Sequence, residues 1–496
     1  MTLAPVTGAV IASGVLWSLG TGLHPVPWLT WFALVPVLVV ATRTGVRTAA
    51  AVAFAGYVMG LAGYAHYAVM SLEMPLGVVA ALVVTLGGVV TGVVLLYRVL
   101  VLRGLLLVAV LTTAGAWAGA EFLVARFSPF GANWSLANSQ AALLPVIQVA
   151  SLTGIAGISF VVVAAGAGLA TLATGRRAWT SVATTAVLVT VVLGYGVFRL
   201  ANDGATAQQQ VTLVATTSPG YIPDVSSPPG RALLKRDLDV VASLPDAAGQ
   251  VVVFPEKDVT ADDAALTHVK ARFRRAAAAN GVTVVLGLER RSSAVTYNQA
   301  LTFPANGARP VAYAKQHPIV GAEAGTTSGD RDGFVPHTGR RLGVAICADL
   351  AHPDLGRSYA RAGTRLLLVP ALDFDVDDWS QSRAQLLRGV ESGFSMARAS
   401  RQGFLTIADD RGRVLAETHT RAGATRSLTY DVPLGHGATF YARTGDWFGW
   451  LCVALAVIGV AISASRTPTA HRRRRTGGRS AVTIREEHGQ AHAKAR

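Results

Sequence analysis

The chain has 496 residues, of which 51% are hydrophobic, and a formal net charge of +15 at pH 7. A mean hydropathy of +0.42 excludes an ordinary soluble protein and indicates that much of the chain lies in lipid. The positive charge is concentrated in the segment 466–496, which carries nine Lys or Arg residues against two Glu. This composition predicts a disordered tail that contacts anionic lipid headgroups, and nucleic acid is not expected as a partner.

Eight apolar runs predict membrane-spanning helices, since one span requires roughly 20 mostly apolar residues. Seven of them precede residue 200, and the eighth follows a long polar segment. We place the runs at about 6–22, 28–43, 48–71, 75–97, 104–125, 143–174, 179–199 and 447–465. No charged segment followed by a small-residue cleavage site precedes the first run, so we expect a retained helix there rather than a signal peptide.

The loop charges predict the orientation of these spans, because Lys and Arg accumulate on the cytoplasmic side. The loops that follow spans two, four and six carry pairs of arginines, and the arginine-rich tail follows span eight; the pairs are Arg43 and Arg47, Arg98 and Arg103, and Arg176 and Arg177. The opposite loops are nearly free of basic residues. We therefore expect a multi-pass protein of the cytoplasmic (inner) membrane, with an extracytoplasmic segment after span seven and a cytoplasmic C-terminal tail.

The segment 201–445 has the pattern of an α/β domain, in which short β-rich runs alternate with helical stretches. The predicted strands are 211–216, 251–254, 282–288, 300–303, 342–346 and 366–369, and the predicted helices lie near 261–280, 353–362 and 380–399. The predicted organisation is a membrane domain of seven helices at 1–200, an extracytoplasmic catalytic domain at 201–445, an eighth helix at 446–466 and a basic tail at 467–496.

Three predicted strands end next to a reactive side chain, where α/β folds commonly display functional groups. Glu256 follows VVVFP, Lys315 follows VAYA, and Cys347 follows LGVAI. A thiol needs a base to become a good nucleophile, and a cation stabilises the oxyanion that forms on attack. Each residue also has a plainer interpretation, because Cys347 fits a small buried hydrophobe and the other two fit solvated surface charges.

The order and contexts of these three residues resemble those of the carbon-nitrogen hydrolase (nitrilase) superfamily, whose catalytic triad is Glu, Lys, Cys. The membrane segments narrow the resemblance to the apolipoprotein N-acyltransferase family. It covers nearly the whole chain and rests on HPVPWLTWFALVPVL, FSPFGANWSLANSQ, LPVIQVASLTGIAGISFVVV and TFYARTGDWFGW. The resemblance implies a bundle of eight spans with an inserted extracytoplasmic αββα sandwich between the last two.

The resemblance also implies the reaction. The Cys347 thiolate would take an acyl chain from a phospholipid, and the resulting thioester would pass that chain to the N-terminal diacylglyceryl-cysteine of an apolipoprotein. Glu256 would act as the base, Lys315 would stabilise the oxyanion, and Glu323, eight residues after the lysine, would support the site. Neither a cofactor nor a metal is implied, and the sequence assigns no substrate-binding residue.

Some neighbouring residues depart from the family pattern. Ala348 and Asp349, which we also expect to support the site, follow the cysteine where the family has Tyr-Glu, and Arg401 replaces an asparagine. Two alternatives therefore stay open: a membrane-embedded amidase or other hydrolase of the same superfamily, and a catalytically silent relative that binds lipoproteins. Nearby histidines and an acidic run are expected to be solvated loop residues; they are His317, His337 and His352, and Asp373, Asp375, Asp377 and Asp378.

Overall fold

The computed structural model describes residues 3–175, 178–202, 204, 206–216, 221–244, 249–339, 341–374, 376–420 and 425–465. The predicted basic tail at 467–496, Arg176, Arg177 and Asp375 lie outside these residues. Residues 1–463 form one compact unit. The N-terminal part of that unit is helical, and an α/β domain follows it before a last helix.

The first part contains helices α1 to α11. Their bounds are Leu3–Thr21, Pro27–Ala33, Val35–Arg43, Val46–Gly60, Ala62–Met70, Leu76–Leu102, Leu106–Phe127, Leu144–Ile147, Ala150–Thr153, Ile155–Thr171 and Trp179–Ala201. Six described helices, counting the last helix Trp447–Ala464, are long and apolar enough to cross a membrane, and the bent pair α4 and α5 raises the number to seven. The multi-pass prediction is thus confirmed at this coarser level.

Three predicted spans are less regular than hydropathy indicates. The run 28–43 is two short helices, α2 and α3, because Pro36 lies in the first turn of α3 and cannot continue α2. The run 48–71 bends by 46° between α4 and α5. The run 143–174 begins with the one-turn helices α8 and α9, and its long helix starts only after Gly154, whose φ is +69°.

The α/β domain contains thirteen described strands, β1 to β13. They are Gln208–Ala215, Val251–Val253, Val259–Ala261, Thr283–Arg291, Thr296–Phe303, Val311–Ala314, Gly333–Phe334, Leu342–Val344, Leu366–Ala371, Ser395–Ser400, Gly403–Ala408, Val414–Thr420 and Arg426–Pro433. One sheet has the order β13-β1-β2-β4-β5-β6, with β3 beside β4, and the other has the order β12-β11-β10-β9-β8-β7. Parallel pairs form the centre of each sheet, and antiparallel pairs form the edges.

Helices cover the outer face of each sheet. They are α12 Pro228–Ser243 and α13 Asp263–Ala279 on the first sheet, and α14 Pro353–Arg361 and α15 Asp378–Ser392 on the second. One apolar core lies between the sheets and combines residues such as Leu213 and Val253 with Leu368 and Ile407. A second core joins the first sheet to α12 and α13. These layers form the αββα sandwich that the resemblance implied.

The prediction of one helix over 380–399 is wrong beyond residue 392. Gly393 has a φ of +90° and ends α15 in a left-handed conformation. The chain then forms β10, all six residues of which are buried between neighbouring strands. Helix α12 and strands β11 to β13 were also absent from the prediction.

The second sheet packs on the membrane domain. A third apolar core combines α14, α15 and the second sheet with α8 to α11. Glu391 on α15 accepts a hydrogen bond of 2.6 Å from the backbone N–H of Ile155, at the start of α10. The helix α16 Phe440–Thr444 and the last helix, α17 Trp447–Ala464, then return the chain to the bundle.

Candidate active site

Lys315 and two glutamates form a buried ion cluster at the end of the first sheet. Lys315 follows β6 directly, Glu256 follows β2, and Glu323 lies in the loop after Lys315. The Lys315 Nζ atom lies 2.8 Å from Glu256 Oε1 and 2.7 Å from Glu323 Oε2. Lys315 has no exposed surface, so both ion pairs are shielded from water. The structure thus brings three predicted site residues into direct contact.

Two further residues complete this cluster. The Asn298 side chain donates to Glu256 Oε1 at 2.5 Å and to Glu323 Oε1 at 2.8 Å, so it joins the two carboxylates. Lys257 Nζ lies 2.8 Å from Glu323 Oε1. Lys257 has a φ of +48°, a conformation that non-glycine residues rarely adopt. The strained turn at Lys257 therefore allows Glu256 and Lys257, which are consecutive in the chain, to join the same ion cluster.

The charges within this cluster determine the protonation of Lys315 and Glu323. Burial alone would lower the pKa of Lys315, but the negative charges of Glu256 and Glu323 outweigh that effect and raise it above the ordinary lysine range. Burial would raise the pKa of Glu323, but Lys315 and Lys257 lower it to about 2. Lys315 is therefore a permanent cation at neutral pH, and Glu323 is a permanent anion.

Cys347 lies at the end of β8, where a five-residue 3₁₀ helix begins. Its φ of +38° is in the left-handed region, which costs of order 1–3 kcal/mol and persists where the surrounding structure imposes it. The thiol contacts the Leu372 carbonyl oxygen at 3.9 Å and the Gln385 Nε2 atom at 3.8 Å. Arg398 Nε donates to Gln385 Oε1 at 2.8 Å, which directs the amide nitrogen of Gln385 toward the sulfur.

The resting form of Cys347 is a thiol. Burial and the negative charge of Glu256 raise the pKa of Cys347 well above its ordinary value, and the positive charges of Lys315 and Arg398 only partly oppose them. A thiol of this kind would need a base at the moment of attack in order to act as a nucleophile. The carboxylate whose charge acts on the sulfur most strongly is Glu256.

Asp349 connects the lysine loop to the cysteine turn. Its Oδ1 atom accepts from the backbone N–H groups of Gln316 and His317 at 3.0 and 2.8 Å. Its Oδ2 atom accepts from the Tyr313 hydroxyl at 2.6 Å and from the Ile346 N–H at 3.0 Å. Four donors from both sheets thus converge on one buried carboxylate, which gives Asp349 a positioning role between Lys315 and Cys347.

A cavity connects Cys347 with the membrane helices. Near the thiol it is lined by Ala348, His317, His352 and Leu372. Farther away it is lined by aromatic side chains of α1, α4, α5 and α7: Trp17, Tyr57, Tyr64, Tyr67 and Trp117. Aromatic walls of this kind fit hydrocarbon chains. Ala348, the small residue beside Cys347, also lines the cavity at this point.

Two expectations about nearby loops were wrong, the first of them in part. His337 is exposed, as expected, but His352 is buried and stacks on His317 with 3.6 Å between ring centroids, so these two histidines are not simply solvated. The described members of the acidic run, Asp373, Asp377 and Asp378, are also buried. Asp373 forms an ion pair with Arg398, and Asp377 accepts a hydrogen bond from Tyr67. The loop after β9 is therefore part of the cavity wall.

Several residues of the site lacked a recognisable signal in the sequence. Asn298 lies inside a strand, and Gln385 and Arg398 lie within the segment interpreted as one helix. Arg401, the expected asparagine position, donates to the backbone oxygens of Lys257 and Tyr221 at 3.2 and 2.6 Å, so it braces the turn after Glu256 rather than lining the cavity. The ion pair between Arg398 and Asp373 could have been suspected, because an arginine follows the acidic run in the sequence.

Among solved structures, the α/β domain matches a variant of an amidase from Nesterenkonia AN1, of the nitrilase superfamily. The match has 19% sequence identity and a TM-score of 0.40, and it covers 46% of this chain and 92% of the amidase chain. A second structure of an amidase from Nesterenkonia matches with 19% identity and a TM-score of 0.41 over 49% of this chain and 94% of the other.

Sequence comparisons cover both parts of the chain. Residues 13–168 match the apolipoprotein N-acyltransferase N-terminal domain, and residues 230–435 match carbon-nitrogen hydrolase. An apolipoprotein N-acyltransferase of Geobacter metallireducens is 28% identical over 93% of this chain and 96% of its own length. One from Gloeobacter violaceus is 36% identical over 27% of this chain and 26% of its own length. The chain thus combines an apolipoprotein N-acyltransferase N-terminal domain with a carbon-nitrogen hydrolase domain.

Proposed function

We propose that the chain transfers a fatty acyl group from a phospholipid to the N-terminal S-diacylglyceryl-cysteine of apolipoproteins, through a thioester on Cys347. The observation that carries the proposal is the cavity that joins Cys347 to the aromatic interior of the membrane helices. A soluble amide substrate would not need such a cavity, whereas an acyl chain entering from the bilayer would. The sequence comparisons support the same reaction.

In the first half-reaction, Glu256 takes the thiol proton of Cys347 while the sulfur attacks the ester carbonyl carbon of the phospholipid. Lys315 has three N–H donors, two of which its carboxylate partners engage. The third is available for the developing oxyanion, together with the Ala348 amide in the first turn of the 3₁₀ helix. The tetrahedral intermediate collapses, the lysophospholipid oxygen leaves with the proton from Glu256, and the thioester remains.

In the second half-reaction, the neutral α-amine of the diacylglyceryl-cysteine attacks the thioester carbonyl carbon. Glu256 accepts a proton from the attacking nitrogen, the carbon–sulfur bond breaks, and the thiolate of Cys347 regains that proton. The product is an amide on the lipoprotein. Because one covalent intermediate separates the two substrates, the kinetics are of the ping-pong type. The buried cluster and the apolar cavity keep water from the thioester.

The predicted topology belongs to this proposal. Eight spans, with the catalytic domain at 201–445 on the extracytoplasmic side of the cytoplasmic membrane, place Cys347 at the surface that lipoproteins reach. Three described arginines support the orientation, because they cluster at the bundle end opposite the α/β domain. Arg43 donates to Ala173 O, Arg98 to Thr44 O, and Arg103 to Ile462 O. Basic residues at that end fit the cytoplasmic side.

The test is acyl transfer by the purified full chain in nanodiscs that contain phospholipid with a labelled acyl chain. We expect a hydroxylamine-sensitive label on Cys347, which a diacylated lipopeptide then removes as N-acyl product. The Cys347→Ser variant should carry no hydroxylamine-sensitive label. Cys452→Ser is the matched control, because Cys452 is the other buried cysteine and lies in α17 away from the cavity.

Each alternative reaction has its own outcome in this assay. Label that leaves Cys347 only as free fatty acid, with the lipopeptide present, would identify a hydrolase and contradict the transferase. A wild-type chain that acquires no label but still binds the lipopeptide would indicate a silent lipoprotein-binding relative. Reporter fusions at residue 320 and at the C-terminus test the topology, and a cytoplasmic residue 320 would overturn it.

A further inference from the structure

A carboxylate in the membrane domain has no part in the acyl-transfer steps above. Glu121 lies on α7, six residues before the helix ends at Phe127, or roughly 9 Å along the helix axis. Its side chain lines the same cavity as Cys347. Ionisable residues within membrane spans are costly and are commonly retained for binding or transport. Glu121 therefore requires an explanation from its surroundings.

Four neutral groups donate hydrogen bonds to Glu121. Trp117 Nε1 and the backbone N–H of Leu136 donate to Oε1 at 2.8 and 2.9 Å. The hydroxyl groups of Ser135 and Ser159 donate to Oε2 at 2.8 and 2.6 Å. The indole N–H and the backbone N–H can only donate, so Oε1 acts as an acceptor, whereas a hydroxyl group at Oε2 can donate or accept. These contacts hold the carboxyl group in a fixed orientation at the cavity wall.

No cationic side chain pairs with Glu121 in the part of the chain that the structure describes. Its hydrogen-bond partners there are the indole, the two hydroxyl groups and the amide, none of which carries a charge. An ionised group in apolar surroundings is stabilised chiefly by an opposite charge nearby. The cavity that Glu121 lines is the place where such a charge can enter.

The neighbouring aromatic rings favour a cation as well. Trp17 and Trp117 stack with 5.1 Å between their centroids, and Tyr57 packs edge-on against them at 5.6 and 5.7 Å. All three rings line the cavity with Glu121. Ring faces attract ammonium groups, more strongly where water is excluded. A carboxylate beside an aromatic wall is suited to an ammonium group attached to an apolar body.

We propose that Glu121, with Trp17, Tyr57 and Trp117, binds a primary ammonium group carried by a lipid substrate. The inference rests on the proposed function, since both of its substrates are lipids that can carry an amine. The ammonium group is either in the headgroup of the phospholipid donor or at the N-terminus of the diacylglyceryl-cysteine acceptor. The two sources affect different half-reactions, so one variant separates them.

The variant is Glu121→Gln, and Glu73→Gln is its matched control, because Glu73 is an exposed carboxylate of the same domain outside the cavity. Label formation on Cys347 is measured with phosphatidylethanolamine and with phosphatidylglycerol, and then transfer to a diacylated lipopeptide. Binding of the headgroup predicts a loss of about tenfold or more with phosphatidylethanolamine alone. Binding of the acceptor predicts normal labelling with both donors and a similar loss in transfer. An equal loss with both donors, or no loss at all, overturns the proposal.

A binding measurement keeps the inference testable apart from catalysis and from the folding of a variant. Decylammonium and decanol are compared, below their micellar concentrations, for the shift in thermal unfolding temperature of the wild-type chain in nanodiscs. We expect the ammonium compound to raise that temperature more than the alcohol. Equal shifts would overturn the proposal even if acyl transfer is observed. Conversely, the wild-type chain could acquire no acyl label and still show a larger shift in unfolding temperature with decylammonium than with decanol. That result would contradict the proposed reaction but not the ammonium site.

Discussion

Lys315 and Glu256 form an ion pair with 2.8 Å between Nζ and Oε1, although their side chains are only 0% and 3% exposed. Replacing Lys315 by Met keeps the volume but leaves Glu256 and Glu323 without their shared cation. Loss of one partner of a buried pair costs about 3–5 kcal/mol of unfolding free energy. We also expect the rate of Cys347 acylation to fall at least about 100-fold, the usual effect of removing one oxyanion donor.

The control for this prediction is Lys235→Met, because Lys235 is exposed on α12 and pairs with the exposed Asp239. Acylation is followed with labelled phospholipid, and stability is followed by thermal unfolding in nanodiscs. If Lys315→Met labels Cys347 as fast as the Lys235 variant does, the oxyanion role of Lys315 is wrong.

Glu323 should make the protein sensitive to acid. Its pKa in the folded chain is about 2, against an ordinary value of 4.5. The unfolded chain therefore binds more protons in that interval, so the stability that Glu323 contributes is present above pH 4.5 and is lost as the pH falls toward 2. Each unit of displacement corresponds to about 1.4 kcal/mol. We expect Glu323→Gln to be less stable than wild type at pH 6, and the difference to shrink at pH 3.

The measurement for Glu323 is the thermal unfolding temperature at both pH values, with Glu73→Gln as an exposed-carboxylate control. A constant difference between wild type and Glu323→Gln across this range would show that the ion pairs with Lys315 and Lys257 do not hold Glu323 ionised.

Asp349 should govern the alignment of the nucleophile with the lysine. In Asp349→Asn one oxygen becomes an NH₂ group, which would face two N–H or O–H donors. The turn that holds Cys347 and the loop after Lys315 would then move apart. A misplacement of about 1 Å can cost roughly 100-fold in rate, and we expect a loss of that size in Cys347 acylation. Asp354→Asn is the control, because its carboxylate is half exposed and pairs with Arg126.

The milder variant Tyr313→Phe removes one of the four donors to Asp349 and keeps the carboxylate. Its acylation rate should lie between those of wild type and Asp349→Asn. A rate below that of Asp349→Asn would indicate that Tyr313 acts in some way other than through Asp349.

The buried acids Asp237 and Asp258 should change the stability with pH in the direction opposite to Glu323. Asp237 and Asp258 are both fully buried, and neither Asp258 oxygen has a described hydrogen-bond partner outside the pair. Burial raises the pKa of Asp258 to about 6, and burial with the charge of Asp258 raises that of Asp237 further. The folded chain therefore binds more protons than the unfolded chain, and the stability present below pH 3.8 is lost as the pH rises through 6.

The variant Asp237→Asn removes one of these coupled titrations. Its unfolding temperature should fall less between pH 5 and pH 8 than that of wild type. Asp239→Asn, on the exposed side of the same helix, should follow wild type. If the unfolding temperatures of wild type and Asp237→Asn changed with pH in parallel, the coupled titration of Asp237 and Asp258 would be excluded.

The sequence predicted the site residues at the ends of strands better than the contacts that hold those residues. Glu256, Lys315 and Cys347 each follow a short buried strand, and such an ending is visible in the apolar pattern. The hydrogen bonds that hold them in place are not visible in this way, even for Asp349, which the sequence assigned a supporting role. Asn298 and Asp349 act through hydrogen bonds to positions distant in the chain, and no local period reports such contacts. Strand β10 was interpreted as helix because its six buried residues do not alternate.

The membrane domain shows the same limit. Apolar composition located its helices, since burial in lipid requires it. Hydropathy carries no information about breaks, so the bend of 46° between α4 and α5 was not foreseen. That bend matters for the site, because Tyr67 on α5 donates a hydrogen bond to Asp377, in the loop between β9 and α15.

The bond between Tyr67 and Asp377 should restrain the cavity wall next to Cys347. Asp377 also accepts from the Phe374 N–H at 2.8 Å, and Leu372 in the same loop contacts the thiol. Breaking a buried hydrogen bond costs about 1–3 kcal/mol, which corresponds to roughly a 5- to 150-fold change in a local opening equilibrium. In Tyr67→Phe we therefore expect amide hydrogen exchange to accelerate by such a factor in the segments 372–374 and 376–381, with little change in β1 or β4. Tyr430→Phe is the control, because Tyr430 is 37% exposed on β13. Exchange that is unchanged in these segments, or that rises equally throughout the α/β domain, would show that the bond does not restrain this loop.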